Sequence, residues 1–77
     1  MKKNTDLQTP ILNMPPAELP VIEELIEFMQ MMHFRNLKDL LEFKVSDLLK
    51  MHGFGYRCLR SLYKVLEENG CEQLLKE

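Results

Sequence analysis

The run Lys50-Met51-His52-Gly53-Phe54-Gly55-Tyr56-Arg57-Cys58-Leu59 constrains the fold of this chain more than any other stretch. Leu48 and Leu49 before it, and Leu59, Leu62 and Leu66 at its end and after it, fall at helical spacing, so the glycines mark a tight turn between two short helices. Glycine on both sides of one apolar residue admits backbone of positive φ and lets a large group approach the main chain closely. Phe54 then acts as the plug of the turn. The amides beside it open a helix N-terminus, where anions are favoured and a phosphate fits best.

The rest of the chain reads as helices too short to need more than one core. With 77 residues and 45% hydrophobic content, it forms a single domain near the lower size limit for folding without staples. All four prolines (Pro10, Pro15, Pro16, Pro20) lie in residues 1–20, a spacing that forbids a helix and predicts an extended or turn-like tail or strap. Ile11, Leu12, Met14 and Leu19 give that strap apolar side chains to lay across the domain or across a second subunit; a disordered tail is the alternative. The domain proper is expected over 21–77.

Its first helix is predicted from Pro20 to about residue 32, with Val21, Leu25, Phe28, Met29 and Met32 facing inward and Glu23, Glu24 and Glu27 outward. Met29, Met31 and Met32 read as flexible core filler rather than a partner groove. Asn36 is a good N-cap for a helix to about residue 43, with Leu37, Leu40 and Leu41 inside. Ser46 or a neighbour caps a helix of one to two turns. The main helix spans about 55–69, Gly70 terminates it, and Gln73 to Leu75 add a final turn that folds back. Met32-His33-Phe34 and Met51-His52-Gly53-Phe54 share a local pattern, which fits two hairpins related by pseudo-symmetry, the first without glycine.

Gly53 to Leu59 follows the helix-hairpin-helix pattern of glycine, apolar residue, glycine, any residue, base, small residue, apolar residue. The wider run 34–70 resembles the C-terminal domain of the bacterial RNA polymerase alpha subunit. Phe34-Arg35-Asn36-Leu37-Lys38-Asp39-Leu40, Asp47-Leu48-Leu49-Lys50 and Gly53 to Leu66 carry the likeness. The resemblance implies an all-α domain of four to five short helices forming two helix-hairpin-helix units. It also implies a transcription-associated role: binding A·T-rich minor groove or DNA non-specifically, and contact with regulators. Gly55 and Arg57 carry over from the polymerase pattern, Gly53 from the broader hairpin pattern, and Cys58 takes the place of a hydroxyl that donates to phosphate. Lys50 adds charge beside the turn, and Arg60 and Lys64 extend it along one helix face. The family's first-helix Arg and Asn are missing; Val21-Ile22-Glu23-Glu24-Leu25-Ile26-Glu27 stands there instead. Beginning at a methionine and lacking a polymerase-assembly region, the chain is expected to be a stand-alone relative that acts in trans.

Charge divides the functional readings. The net charge of −2 argues against a simple nucleic-acid binder, yet 18–27 holds only acids and 50–64 only bases (Lys50, Arg57, Arg60, Lys64). One expectation is therefore weak DNA binding through Gly53, Gly55, Arg57, Cys58, Lys50, Arg60 and Lys64. The other is a protein-interaction module, homodimeric or not, that keeps the fold and has lost DNA. A solvated basic face is the plain alternative for the lysines and arginines. No nucleophile–base–acid set, phosphate loop of the nucleotide type or cofactor motif is present, so no enzyme and no cofactor are expected. Cys58, Cys71, His33 and His52 lack ligand spacing, so no metal is expected and the thiols should be reduced. With neither a signal-peptide core nor a membrane span in the sequence, a cytoplasmic protein is expected.

Overall fold

Apolar side chains at spacings of three and four dictate a helical chain, and the computed structural model, which describes residues 9–77, is all-α. Its helices are α1 (Pro10–Asn13), α2 (Glu23–Met31), α3 (Leu37–Leu40), α4 (Val45–Leu48) and α5 (Tyr56–Glu68), with 3-10 turns at Pro16–Glu18 and Glu72–Leu74. Among the described residues the sole β-type pairing is an isolated parallel bridge between Lys44 and Lys76. There the Val45 amide donates to the Lys76 carbonyl at 2.8 Å, so the chain end folds back as expected.

Residues 1–8 of the strap lie outside the described residues. From Pro10 on, the expectation that proline spacing forbids helix is corrected, because Pro10 and Pro16 each stand at the start of a single helical turn. Proline lacks only an N–H that the first position never uses, and its fixed φ suits that position. Ile11, Leu12 and Leu19 are buried in the same core as Leu25, Phe28, Leu37, Leu40 and Leu62, so this segment lies across its own domain. Buried leucines of this kind each stabilise by about 1.5–3 kcal/mol relative to exposure.

Helix α2 starts at Glu23, later than Pro20 suggested. The Val21 amide turns back to the Leu19 carbonyl at 2.9 Å, that of Ile22 donates to the Ser61 hydroxyl of α5 at 3.0 Å, and the backbone stays extended at Ile22 (φ −68°, ψ 156°), which becomes the N-cap. Leu25, Phe28 and Met29 point into the core while Glu23 and Glu24 occupy the first turn, where the helix dipole favours them. Of the methionines, Met29 is fully buried and Met32 half-buried, but Met31 is exposed and lies over Gly53. Asn36 caps α3 as expected, accepting from the Asp39 amide at 3.4 Å. Helix α4 is capped at Lys44, so Ser46 lies within the helix. Helix α5 matches the predicted span, and Gly70, at φ +70°, closes it with the Cys71 amide on the Leu66 carbonyl at 2.8 Å.

Candidate interaction surface around the glycine turn and helix α5

The turn between α4 and α5 is built on Phe54. Its side chain is buried, its ring centroid lies 5.1 Å from that of Phe28 in an edge-on contact, and its amide donates to the Met51 carbonyl at 3.2 Å. Gly53 has φ +95°, and a Cβ there would meet Met31 Cε at 3.3 Å and Phe28 Cδ1 at 3.5 Å. Glycine is therefore favoured by conformation, while the space is tight only against the flexible end of Met31. Gly55 departs from the expectation of positive φ: it has φ −117°, ψ −171°, ordinary extended backbone, and open space where a Cβ would stand. Its position as N-cap of α5 supplies no side-chain acceptor, and among the described residues nothing accepts from the amides of Tyr56 and Arg57. These exposed donors begin a helix of 13 residues.

The charged groups are arranged less favourably for an anion. Arg57 Nε lies 3.2 Å from Glu24 Oε1, with both side chains largely exposed (78% and 52%). Glu24 therefore borders the same shallow depression as Gly53, Gly55, Tyr56 and Arg57. Cys58 corrects the sequence reading further: it is buried, and its thiol faces the Gly53 carbonyl at 3.7 Å. It braces the turn from within and offers no donor to an outside phosphate. Lys50, Arg60 and Lys64 are exposed. The expected set thus divides, with Gly53, Gly55 and Arg57 at the turn, Arg57, Arg60 and Lys64 along a neighbouring groove, and Lys50 lining neither.

That groove, of about 760 Å³, was not foreseen in the sequence. Ile22, Val45, Leu59 and Leu75 form its apolar walls, Tyr63 stands over it, and Arg57, Arg60 and Lys64 rim it. The Ile22–Ser61 hydrogen bond fixes the start of α2 against α5 and so sets one wall. Leu59 falls at helical spacing with Leu62 and Leu66, but the buried stripe of α5 is Cys58, Leu62, Val65 and Leu66, leaving Leu59 half-buried. A sequence signal existed: Leu59 and Tyr63 stand four apart, just off that stripe. Tyr56 (72%) and Tyr63 (45%) are the most exposed aromatic residues among those described.

The remaining chemistry is sparse. Among the described residues no group of three or more His, Cys, Asp or Glu side chains is placed to hold a metal ion, and no helix is long and apolar enough to cross a membrane. Cys58 and Cys71 are free, buried thiols, and burial pushes the Cys71 thiol above its ordinary range. No family model, curated protein or solved structure matches this chain.

Proposed function

We propose that this chain is a non-catalytic interaction module, on a scaffold of helix-hairpin-helix type, that takes a protein segment into the groove along α5. The observation carrying this reading is the groove itself: aliphatic walls beside a half-exposed tyrosine on an otherwise charged surface. An apolar patch rimmed by polar groups is characteristic of protein contacts, and tyrosine and arginine are the residues that most often dominate them. The resemblance to the polymerase alpha domain supports a place beside the transcription machinery.

DNA binding is the second reading, supported by the unpaired amides at Tyr56 and Arg57. Against it stands Glu24, because a phosphate seated on those amides would share Arg57 with a carboxylate and be repelled by it. The two readings separate in a photo-crosslinking experiment in the host cell. A photoreactive side chain at position 63 should yield a discrete protein adduct, and one at the exposed position 30 should not. Nucleic-acid adducts from position 56, with no protein adduct from position 63, would overturn the proposal.

A further inference from the structure

The groove's walls and rim define its occupant more narrowly. Arg57, Arg60 and Lys64 follow one another at spacings of three and four, so they form one row along α5 beside the apolar trough. Arg57 is paired with Glu24, whereas Arg60 and Lys64 have no ion-pair partner among the described residues. Among the described residues Glu77 is the one acid lining the groove. A segment lying along the trough therefore meets aliphatic side chains beneath it and, along one edge, the two cations Arg60 and Lys64 that no described carboxylate pairs.

Backbone chemistry then selects the segment's conformation. An extended peptide needs a row of unpaired amides and carbonyls to pair with, as at a sheet edge. Among the described residues the aliphatic walls offer little of such an edge: the Leu59 amide is paired with Gly55, and the Ile22 and Val45 amides are taken by Ser61 and Lys76. A helix satisfies its own backbone and presents only side chains, which is what the trough can receive.

Resting on the interaction-module reading, we infer that the groove binds a short amphipathic helix of a partner protein, with an apolar stripe flanked on one side by aspartate or glutamate. The stripe packs on Leu59, Tyr63 and Leu75, and the acidic flank lies along Arg60 and Lys64. Tyr63 serves both, its ring covering apolar surface while its hydroxyl remains in water.

Selection from a random peptide display library, run in parallel on the wild-type chain and on R60E/K64E, tests this. Both substituted residues are exposed, so the double variant should keep its fold, checked by circular dichroism. The wild type should enrich peptides with apolar residues at positions i, i+3 or i+4, and i+7, beside Asp or Glu. The best of these, synthesised and titrated by fluorescence anisotropy, should lose about tenfold in affinity on R60E/K64E and should weaken as salt is raised. The double variant should instead enrich peptides bearing lysine or arginine. Peptides that are apolar but lack acids, and bind both proteins equally, would overturn the acidic-helix inference and leave the groove reading standing. Enrichment of proline-rich or alternating extended sequences would do the same. Failure of either protein to enrich any peptide would overturn both.

Discussion

The turns that follow α2 and α4 use one device and finish it differently. Each places a left-handed residue just before a phenylalanine, His33 at φ 62° and Gly53 at φ 95°. Both phenylalanines then meet Phe28 edge-on, Phe34 with centroids 6.0 Å apart and Phe54 at 5.1 Å. The difference lies at the start of the next helix. In the first turn the Arg35 amide donates to Asp39 Oδ2 at 2.8 Å and the Asp39 amide to Asn36 Oδ1 at 3.4 Å, so side chains take the amide before the cap and the third amide of the helix. In the second, Gly55 brings no side chain and the amides stay open. Phenylalanine and a left-handed residue therefore specify the bend, and the capping residues decide how many donors the bend leaves for a ligand.

Removing the shared ring should break both turns together. Phe28→Ala deletes the surface on which Phe34 and Phe54 rest and leaves a cavity in the core, a loss of about 3–5 kcal/mol against a total stability of about 5–15 kcal/mol. Urea denaturation should show a sharply lowered midpoint or no cooperative transition. Phe54→Ala should come close to this, while Phe34→Ala should cost clearly less, because Phe34 is only half-buried and also leans on Phe43 at 5.7 Å. Equal losses from Phe34→Ala and Phe54→Ala would show that the two plugs are not ranked by burial.

The left-handed positions should respond with opposite signs. Gly53→Ala puts a side chain on left-handed backbone and presses the flexible end of Met31, a loss of about 1–2 kcal/mol. His33 already bears that strain: its amide donates to the Gln30 carbonyl at 3.1 Å and that of Phe34 to Met29 at 2.9 Å, a helix end usually completed by glycine. His33→Gly should relieve the strain at some expense in unfolded-chain entropy, a net gain of about 0.5–1 kcal/mol. Destabilisation by His33→Gly would mean that the imidazole makes a contact outweighing the strain.

The same contrast explains what could be read in advance. Phe54 as plug, Asn36 as cap, Gly70 as terminator and the span of α5 each depend on residues within a few positions of one another, and local chemistry announces them. His33 in the left-handed region was hidden because any residue other than glycine is uncommon there, although its pattern-mate Gly53 hinted at the correspondence. The one-turn helices at Pro10 and Pro16 escaped because proline was read as a breaker where it serves as a start. The Glu24–Arg57 pair and the groove joining Ile22, Val45, Leu59 and Leu75 arise only when distant segments pack, and spacing along the chain records only a local part of them, Leu59 four residues before Tyr63. Cys58, four residues before Leu62, was legible as an inward position and was missed because the family pattern assigned it to phosphate.

Opening the closed turn is the next, smaller perturbation. The Arg35 amide, and then its side chain, hold the Asp39 carboxyl below its ordinary value of 3.8. A depressed folded pKa means that the contribution is present above the unfolded value and is lost as pH falls through the folded one. Titration followed by carboxyl-carbon NMR should place the Asp39 midpoint below the ordinary aspartate value, and the Arg35 amide shift should move with the same midpoint. Asp39→Asn should abolish that coupled titration and slightly destabilise the turn at neutral pH. An Arg35 amide that does not follow Asp39 would remove the capping account.

The smallest change in stability, and the one that bears most on function, is Glu24→Gln. Glu24 and Arg57 are both largely exposed, so their pair contributes about 0–1 kcal/mol and its loss should barely move the unfolding midpoint. What changes is the charge at the mouth of the open turn, where the substitution leaves a guanidinium without its carboxylate beside unpaired amides. If Glu24 is what keeps phosphate away, Glu24→Gln should bind an A·T-rich duplex more tightly than wild type at low salt. The gain should decline with log salt at about 0.9 per phosphate contact and vanish in Glu24→Gln/Arg57→Glu. Tight, salt-dependent binding by the wild type, unchanged by Glu24→Gln and lost in Arg57→Glu, would instead mean that the glutamate yields readily to phosphate. The open turn would then be a DNA site in its own right, and the contrast between the two turns would become one between a closed bend and a working one.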